Sequence, residues 1–325
     1  MIASRAHLPK IGIIGAGIVG SATGKGFAKL GHKVLFYDNA NTKLSLLMQE
    51  GFDVTRNIEQ ILSKTDISFV CVGTPTNNGR QDLSQLHSVT TSLAIGLSSI
   101  KKYHLVVYRS TVLPGSIRNH VLKYLDSNCS MKRGSDYDVC YNPEFLRQAT
   151  PLDDFLCADR IVIGEDVVGS SKPLSEIYRP VTNKILITNF EEAEMIKYTS
   201  NCFLALKISF FNEIGILCNK LGIDSKEVGY GVSLDKRIGS YGTKVGMPFG
   251  GACLPKDSEA LASFIQDLNI EPDLVRVALS INKKMEEIKP FNDLIVQNVD
   301  TPAQSSLKGS DGSRHGFLTK GVRKI

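Results

Sequence analysis

The stretch with the clearest capacity for chemistry is Gly250-Gly251-Ala252-Cys253-Leu254-Pro255-Lys256-Asp257, where a thiol follows two glycines and precedes a cation and a carboxylate. Glycines let the backbone approach a ligand closely. The thiolate is the form of cysteine that attacks carbon, and a nearby lysine lowers a thiol pKa from about 8.5. Cys253 is therefore a candidate nucleophile, although a free cysteine is also commonly a small buried apolar residue.

Two other places offer groups that such a nucleophile needs. Lys197 and Asn201 stand four apart on a predicted helix, hence on one face, where they can donate hydrogen bonds to a developing oxyanion or form a solvated stripe. Glu144, in the run Tyr141–Gln148, lies beside two apolar residues, Phe145 and Leu146. Partial desolvation would suit its carboxyl group to proton transfer near neutral pH, or it caps a helix after Pro143.

A glycine pattern near the start of the chain predicts a dinucleotide site. An apolar strand, Gly15-x-Gly17-x-x-Gly20, a helix ending near Gly31 and a second strand closing on Asp38 follow one another. Gly15 permits the tight turn, Gly17 lets a pyrophosphate reach the helix N-terminus, and Gly20 allows helix and strand to pack. Asp38 would bind a ribose diol and repel a 2′-phosphate, which favours NAD over NADP, or it is a solvated strand-end carboxylate.

The candidate site residues must be positioned by regular secondary structure, and the sequence predicts a sheet. Further strand-like runs recur at Ile67–Val72, Leu105–Tyr108, Asp138–Cys140 and Arg160–Ile163, and helical or loop stretches separate them. This alternation predicts an α/β fold with a doubly wound parallel sheet. Ligands bind at the carboxyl ends of such strands, where the loops Gly73-Thr74-Pro75-Thr76 and Arg109-Ser110-Thr111 follow; both also fit ordinary turns.

A long helix is predicted after the sheet. Asn189 can cap it and Gly222 can end it after Leu221, which gives a length of about 45–50 Å. Its apolar residues spread widely around the circumference, so we expect it to join two domains or pack on a partner subunit, and we infer a homodimer. A shorter helix from Asp224 to about Gly231 precedes a loop, Gly239–Gly251, with five glycines in thirteen positions.

Composition narrows the class of protein. The chain has 325 residues, 42% hydrophobic and 22% charged, and its net charge of +5 comes without the dense basic block that nucleic-acid binding requires. Seven scattered cysteines show no CxxC pair and no histidine at metal-ligand spacing, which argues against a disulfide framework and a metal site. No targeting segment and no run of 18 apolar residues is visible, so we expect a cytoplasmic protein without a membrane span.

Eight motifs in order resemble the nucleotide-sugar dehydrogenases, the UDP-glucose/GDP-mannose dehydrogenase family, over about residues 10–284. The motifs are GIIGAGIVG, VGTP, RST, NPEFLR, EMIKYTSN, NEIG, DKRIG and GGACLPKD. The resemblance implies a four-electron oxidation of a sugar C6 hydroxymethyl group to a carboxylate with two NAD. It further implies residues 9–187 as an NAD-binding Rossmann-like domain and residues 188–289 as the long helix with a helical middle domain.

The resemblance also implies site roles, residue by residue. Cys253 matches the nucleophile, Lys197 and Asn201 the oxyanion pair, and Asp257 a carboxylate that orients water. Glu144 matches a base in thioester hydrolysis and Thr111 a water-holding hydroxyl. The cofactor-binding residues are expected to be Gly15, Gly17, Ile18, Val19, Gly20, Asp38, Lys43, Thr74, Pro75, Ser110, Thr111 and Lys256. The substrate-binding residues are expected to be Glu144, Phe145, Leu146, Lys197, Asn201, Arg237 and Gly250, with Arg237 reaching a phosphate across the dimer in some relatives.

Two departures from the family pattern stand out. Gln148 occupies a position where many members carry Glu, and an amide cannot act as a base. Family members normally continue into a second Rossmann domain, whereas from Thr301 this chain is rich in Ser, Gly and Lys, so we expect that domain to be absent and residues 290–325 to be a disordered tail. The leading hypothesis is oxidation of UDP-glucose to UDP-glucuronate. The alternatives are another sugar nucleotide (GDP-mannose or a UDP-N-acetyl sugar), a non-catalytic NAD-binding dimerisation module, and a fragment of a longer protein.

Overall fold

A mixed sheet of eight strands organises the first part of the chain in the computed structural model, which describes residues 8–288. In chain order the strands are β1 Ile11–Ile14, β2 Val34–Tyr37, β3 Asp53–Thr55, β4 Ile67–Val70, β5 Thr76–Asn77, β6 Arg80–Gln81, β7 His104–Tyr108, β8 Tyr137–Tyr141, β9 Ile161–Glu165 and β10 Ile185–Thr188. β5 and β6 form a separate antiparallel hairpin. The sheet order is β3-β2-β1-β4-β7-β8-β9-β10.

The first six strands of this sheet run parallel, in the order typical of a doubly wound dinucleotide fold. β9 runs antiparallel to β8, and β10 pairs parallel to β9. The predicted fold class is therefore confirmed, and the sheet is parallel except where β9 pairs with β8. The four predicted strand runs correspond to β4, β7, β8 and β9.

Helices cover both faces of the sheet. The helices before the long helix are α1 Ile18–Lys29, α2 Asn41–Gln49, α3 Ile58–Lys64, α4 Ser84–Leu97, a π-helical turn Ile117–Leu122 continuing as α5 Lys123–Asn128, α6 Pro151–Leu156 and α7 Lys172–Tyr178. The residues of β7 contribute alternately to the two hydrophobic cores, one on each face of the sheet. Val106 and Tyr108 pack with α3 and α4 on one face. Leu105 and Val107 pack with α1 and α7 on the other face. Alternate residues of a strand point to opposite faces, so a strand buried on both faces reads as a continuous apolar run.

The long helix α8, Phe190–Leu221, has the predicted bounds. The Asn189 side chain accepts a hydrogen bond from the Glu192 N–H at its start, and Gly222 ends it with φ of 68°. By length and composition α8 would pass as a membrane span, with a mean hydropathy of 1.4. It packs against β9, however, and buries polar groups such as Lys197 and Asn212, as a core helix of a soluble protein does.

Three further helices pack around α8, namely α9 Ser225–Ser233, α10 Leu254–Asp267 and α11 Asp273–Glu287. Ser209 Oγ on α8 donates to the Ala278 carbonyl on α11. Asn282 on α11 accepts from the Phe249 N–H and donates to the Phe249 carbonyl, which fixes the loop just before Cys253. The expected helical middle region is thus confirmed, and the expected tail, residues 290–325, lies outside the described residues.

Candidate active site

A cavity of about 690 Å³ lies where the end of β8, the long helix and the cysteine loop meet. The residues expected from the sequence that line it are Phe145, Leu146, Lys197, Asn201, Gly250 and Cys253. They come from three separate stretches of the chain. The structure therefore brings the candidate nucleophile and the candidate oxyanion donors to one cavity.

Four polar side chains, two of which line the cavity, form a connected series. Lys197 Nζ donates to Glu144 Oε1 at 3.1 Å and lies 3.5 Å from Asn201 Oδ1. Asn201 Nδ2 in turn donates to Asp257 Oδ2 at 2.6 Å. All four residues are at most 7% exposed. Lys197 and Asn201 therefore do not form a solvated polar stripe on α8, which was the alternative interpretation of their spacing.

The carboxyl group of Glu144 behaves differently from the sequence-based expectation. Burial by itself would raise its pKa, but the Lys197 charge, the Leu146 N–H and the Arg109 charge together hold that pKa below its ordinary value. The expected near-neutral pKa is therefore wrong, because a buried cation lies against the carboxylate. No helix follows Pro143 either, since the next helix, α6, begins at Pro151.

Cys253 occupies the N-cap position of α10, and the Asp257 N–H donates to its carbonyl at 3.0 Å. Burial raises the pKa of the thiol, as does the Glu144 carboxylate, and the cations of Lys197 and Lys256 only partly offset this. Asp257 adds a further raising effect. The expectation that a lysine would leave this thiol with a lowered pKa is therefore wrong: each cation here is paired with a carboxylate.

The glycine loop between β1 and α1 is shaped for a dinucleotide. A Cβ on Gly20 would lie 1.8 Å from the Gly15 carbonyl oxygen, and one on Gly15, where φ is 98°, would meet the Cys71 carbonyl at 2.8 Å. Gly17, the N-cap of α1, has no atom within 4 Å of such a Cβ. The space in front of the first N–H groups of α1, next to Ile18 and Val19, is therefore free of protein atoms at Gly17. This open space fits the pyrophosphate of NAD.

Asp38, at the end of β2, is held beside this loop. Its carboxylate accepts hydrogen bonds from the Ala16 N–H at 2.7 Å and the Ala40 N–H at 2.8 Å, and Lys43 Nζ lies 3.2 Å away. Burial raises its pKa, but these donors and the Lys43 charge outweigh burial and keep the pKa low. At 8% exposure Asp38 is not the solvated carboxylate of the alternative interpretation.

The two loops after β4 and β7 lie side by side, as the parallel strands require. Thr74 Oγ1 donates to the Thr111 carbonyl at 2.6 Å, and Ser110 Oγ donates to the Val72 carbonyl at 2.6 Å. One residue beyond Pro75, Thr76 Oγ1 donates to the Lys256 carbonyl at 3.1 Å. The expected cofactor loops are thereby connected directly to the helix that begins after Cys253.

Arg237, an expected substrate-binding residue, does not line the cavity. Its side chain is 89% exposed and pairs with Asp235 at 2.6 Å. A role across a subunit interface stays a prediction.

Sequence reasoning missed several cavity residues. Arg160 stacks its guanidinium 3.9 Å from the Phe145 ring centroid and donates to Ser200 Oγ. Arg109 is 3% exposed and donates to the Asn142 side chain and the Tyr178 hydroxyl. Neither arginine belongs to a catalytic spacing pattern, and only the position of Arg109 at the end of a strand marked it as a ligand candidate.

The chain is similar in sequence and in structure to one family of known proteins. The models of the UDP-glucose/GDP-mannose dehydrogenase family match it twice, the NAD binding domain at residues 45–182 and the central domain at residues 191–284. A UDP-glucose 6-dehydrogenase of Rickettsia bellii (strain RML369-C) is 35% identical, over 93% of this chain and 71% of that protein. A GDP-mannose 6-dehydrogenase of Pseudomonas aeruginosa is 33% identical, over 89% and 71%.

Among solved structures, a UDP-glucose dehydrogenase from the archaeon Pyrobaculum islandicum superposes with a TM-score of 0.81 at 34% identity, over 88% of this chain and 71% of that chain. A GDP-mannose dehydrogenase from Pseudomonas aeruginosa gives a TM-score of 0.69 at 33% identity, over 86% and 69%. Because both family models match in sequence order and relatives above 30% identity align along most of their length, this protein belongs to the UDP-glucose/GDP-mannose dehydrogenase family and carries its NAD-binding domain.

Proposed function

We propose that this chain oxidises the C6 hydroxymethyl group of a nucleotide sugar to a carboxylate, and that the sugar nucleotide is UDP-glucose. The observation that carries the proposal is the shared cavity, in which Cys253 faces the same space as Lys197 and Asn201. NAD is the hydride acceptor of both oxidations. The remaining chemistry belongs to side chains of this protein.

Cys253 is the proposed nucleophile. Its Sγ adds to the carbonyl carbon of the C6 aldehyde, and the hydroxyl of the resulting thiohemiacetal is oxidised, which leaves a thioester. Water then cleaves the C–S bond, so the thiol is regenerated and the carboxylate is released. Lys197 and Asn201 donate hydrogen bonds to the oxygen that becomes negative when the thiol adds.

The two buried carboxylates have distinct proposed roles. Glu144 holds Lys197 in place through the 3.1 Å contact and takes a proton during thioester hydrolysis. Asp257 orients Asn201 through its 2.6 Å bond and orients the attacking water. Burial raises the pKa of the Cys253 thiol, and these two carboxylates raise it further. We propose that substrate binding promotes the deprotonation of this thiol.

The charge around the cavity supports an anionic substrate. Four cations line it (Arg109, Arg147, Arg160 and Lys197) and outnumber its two lining carboxylates, Asp154 and Asp159, of which Asp154 is paired with Arg147. Guanidinium groups bind diphosphates with paired hydrogen bonds. The relatives include enzymes named for both UDP-glucose and GDP-mannose, so the choice of UDP-glucose needs a direct test.

We also propose a cytoplasmic homodimer in which residues 9–187 and 188–289 form separate domains. Large apolar side chains of α8 are exposed at seven-residue intervals, Phe203 at 61%, Phe210 at 53% and Leu217 at 53%, which supports burial against a second copy. The gap between the matched family regions, residues 183–190, supports the domain boundary.

The test is NADH formation by the purified chain with NAD and each of UDP-glucose, GDP-mannose and a UDP-N-acetyl sugar. Two NADH per UDP-glucose consumed would support the double oxidation. A Cys253→Ala variant should lose this activity and keep its NAD affinity. Cys157→Ala is the matched control, since Cys157 also lines the cavity but contacts none of the four connected polar residues. Retained double oxidation by Cys253→Ala would rule out the covalent mechanism.

A further inference from the structure

Glu194 is a fully buried carboxyl group that the proposed reaction does not use. It lies three residues before Lys197, about one turn earlier on α8. Its two carboxyl oxygens accept hydrogen bonds from the Gly115 N–H at 2.5 Å and the Ile117 N–H at 2.8 Å. These donors start the helical segment that leads into α5, so Glu194 caps that segment from another helix.

The burial of Glu194 is costly without these two donors. Burial raises the pKa of its carboxyl group to about 8, even though both N–H groups lower it. Glu191 raises that pKa further and Arg118 lowers it. Separation of the loop from α8 would leave an unpartnered carboxyl group in the interior, so the contact resists opening.

Gln81 holds the other end of the same loop. Its Nε2 donates to the Thr111 carbonyl at 2.9 Å and to the Tyr198 hydroxyl at 3.0 Å, and its Oε1 accepts from the Leu113 N–H at 3.2 Å. Tyr198 stands beside Lys197 on α8. One amide thus joins the β5–β6 hairpin, the loop after β7 and the long helix.

The loop between these two contacts, residues 111–117, touches both helices of the candidate site. Leu113 packs in a cluster with Tyr198 of α8 and with Ala260 and Leu261 of α10, the helix that begins after Cys253. Thr111 lies at the start of the loop. The Thr111 carbonyl accepts from both Thr74 and Gln81, so the Gln81 and Glu194 contacts contribute to the position of Thr111 relative to α8.

We propose that Glu194 and Gln81 are positioning residues for the oxidation: together they clamp residues 111–117 to α8, so that Thr111 keeps a fixed place relative to Lys197. This inference rests on the proposed function and on the role that the family resemblance implies for Thr111, which is to hold a water or to contact the cofactor. Neither Glu194 nor Gln81 lines the cavity. Their effect is transmitted through the loop, since a displacement of about 1 Å at a reacting group can cost about 100-fold in rate.

The test compares Glu194→Gln with Glu192→Gln. Glutamine at 194 retains one acceptor oxygen but turns an NH₂ group toward the second backbone N–H. Glu192 is an exposed residue in the first turn of the same helix, and its carboxylate accepts neither of the two loop N–H groups. In Glu194→Gln we expect amide hydrogen exchange over residues 111–117 to accelerate about tenfold or more. We expect kcat to fall about 10- to 100-fold while the KM for the sugar nucleotide changes less than about threefold.

The control should change neither the exchange nor kcat. Unaltered exchange in Glu194→Gln would overturn the clamp, and faster exchange with normal kcat would overturn the positioning role. If Glu194→Gln fails to fold, Gln81→Leu replaces it, with the same expected and contrary results. No NADH from the unmodified chain, together with faster exchange in the variant, would count against the proposed function and support the clamp.

Discussion

The ammonium group of Lys197 lies 3.1 Å from the Glu144 carboxylate, and the two side chains are 3% and 6% exposed. This pair joins the loop after β8 to the long helix α8. Two charges removed from water are stable only together, because each alone would keep the desolvation cost without the attraction. The contact is thus structural as well as a part of the candidate site.

Lys197→Met tests this coupling. The variant leaves the Glu144 carboxylate buried without its main cation, so we expect the free energy of unfolding to fall by about 3–5 kcal/mol at pH 7. Glu144→Gln combined with Lys197→Met removes both charges and should restore part of that loss. The measurement is chemical denaturation of the three proteins.

Lys220→Met is the matched control for that experiment, because Lys220 is an exposed residue in the last turn of the same helix. We expect it to change the free energy of unfolding by less than about 1 kcal/mol. Equal losses in Lys197→Met and Lys220→Met would contradict the paired-charge account.

The glycine loop offers a second test through two neighbouring glycines. A methyl group at Gly20 would overlap the Gly15 carbonyl, so Gly20→Ala should destabilise the domain and abolish NAD binding. A methyl group at Gly17 meets no protein atom within 4 Å and would occupy only the open space in front of the N-terminus of α1. We therefore expect Gly17→Ala to retain its melting temperature and lose about tenfold or more in NAD affinity by calorimetry. Unchanged NAD affinity in Gly17→Ala would show that the dinucleotide binds elsewhere.

Much of this arrangement follows from local sequence signals. The cap at Asn189, the stop at Gly222 and the glycine spacing at 15, 17 and 20 depend on a few adjacent residues, and the structure has them as expected. The carboxyl ends of β4 and β7 lie side by side because neighbouring parallel strands end at the same edge of the sheet. The contact of Thr74 with Thr111 could therefore be predicted from the sequence.

Other features depend on contacts between distant residues. The lowered pKa of Glu144 depends on Lys197 of α8, and the raised pKa of Cys253 depends on burial and on Glu144 from the loop after β8, which no local pattern reports. The reversal of β9 relative to β8 and the hairpin β5–β6 also escaped prediction, because strands this short carry little periodic signal.

The thiol of Cys253 provides a third test, through the pH dependence of its alkylation. Asp257 raises the thiol pKa and Lys256 lowers it, so their removal should have opposite signs. We expect Asp257→Asn to move the alkylation profile of Cys253 to lower pH and Lys256→Gln to move it to higher pH. Iodoacetamide labelling, followed at the Cys253 peptide by mass spectrometry, separates this thiol from the other six cysteines. Shifts of the same sign in both variants would rule out charge as the cause.

His104 lies in the sheet, far from any proposed role in catalysis, and it is fully buried with Nε2 at 2.7 Å from Ser68 Oγ. Burial lowers its pKa from 6.5 to about 3, with a further lowering by Lys102, while Asp66 acts in the opposite direction. The folded protein therefore keeps this imidazole neutral at pH values where the unfolded chain is protonated.

The sign of the stability effect follows from proton binding. Between pH about 6.5 and 3 the unfolded chain binds one more proton at this site, so the stability is complete above pH about 6.5 and declines as the pH falls. The slope from a single group is about 1.4 kcal/mol per pH unit. We expect His104→Asn to remove most of that slope between pH 6 and 5 in urea denaturation, where the paired carboxylates are still ionised. His87→Asn, at an exposed position, should change the slope much less than His104→Asn does, although His87 also lowers the pKa of its neighbour His120. Parallel curves for His104→Asn and the unmodified chain would mean that the acid sensitivity arises from other groups.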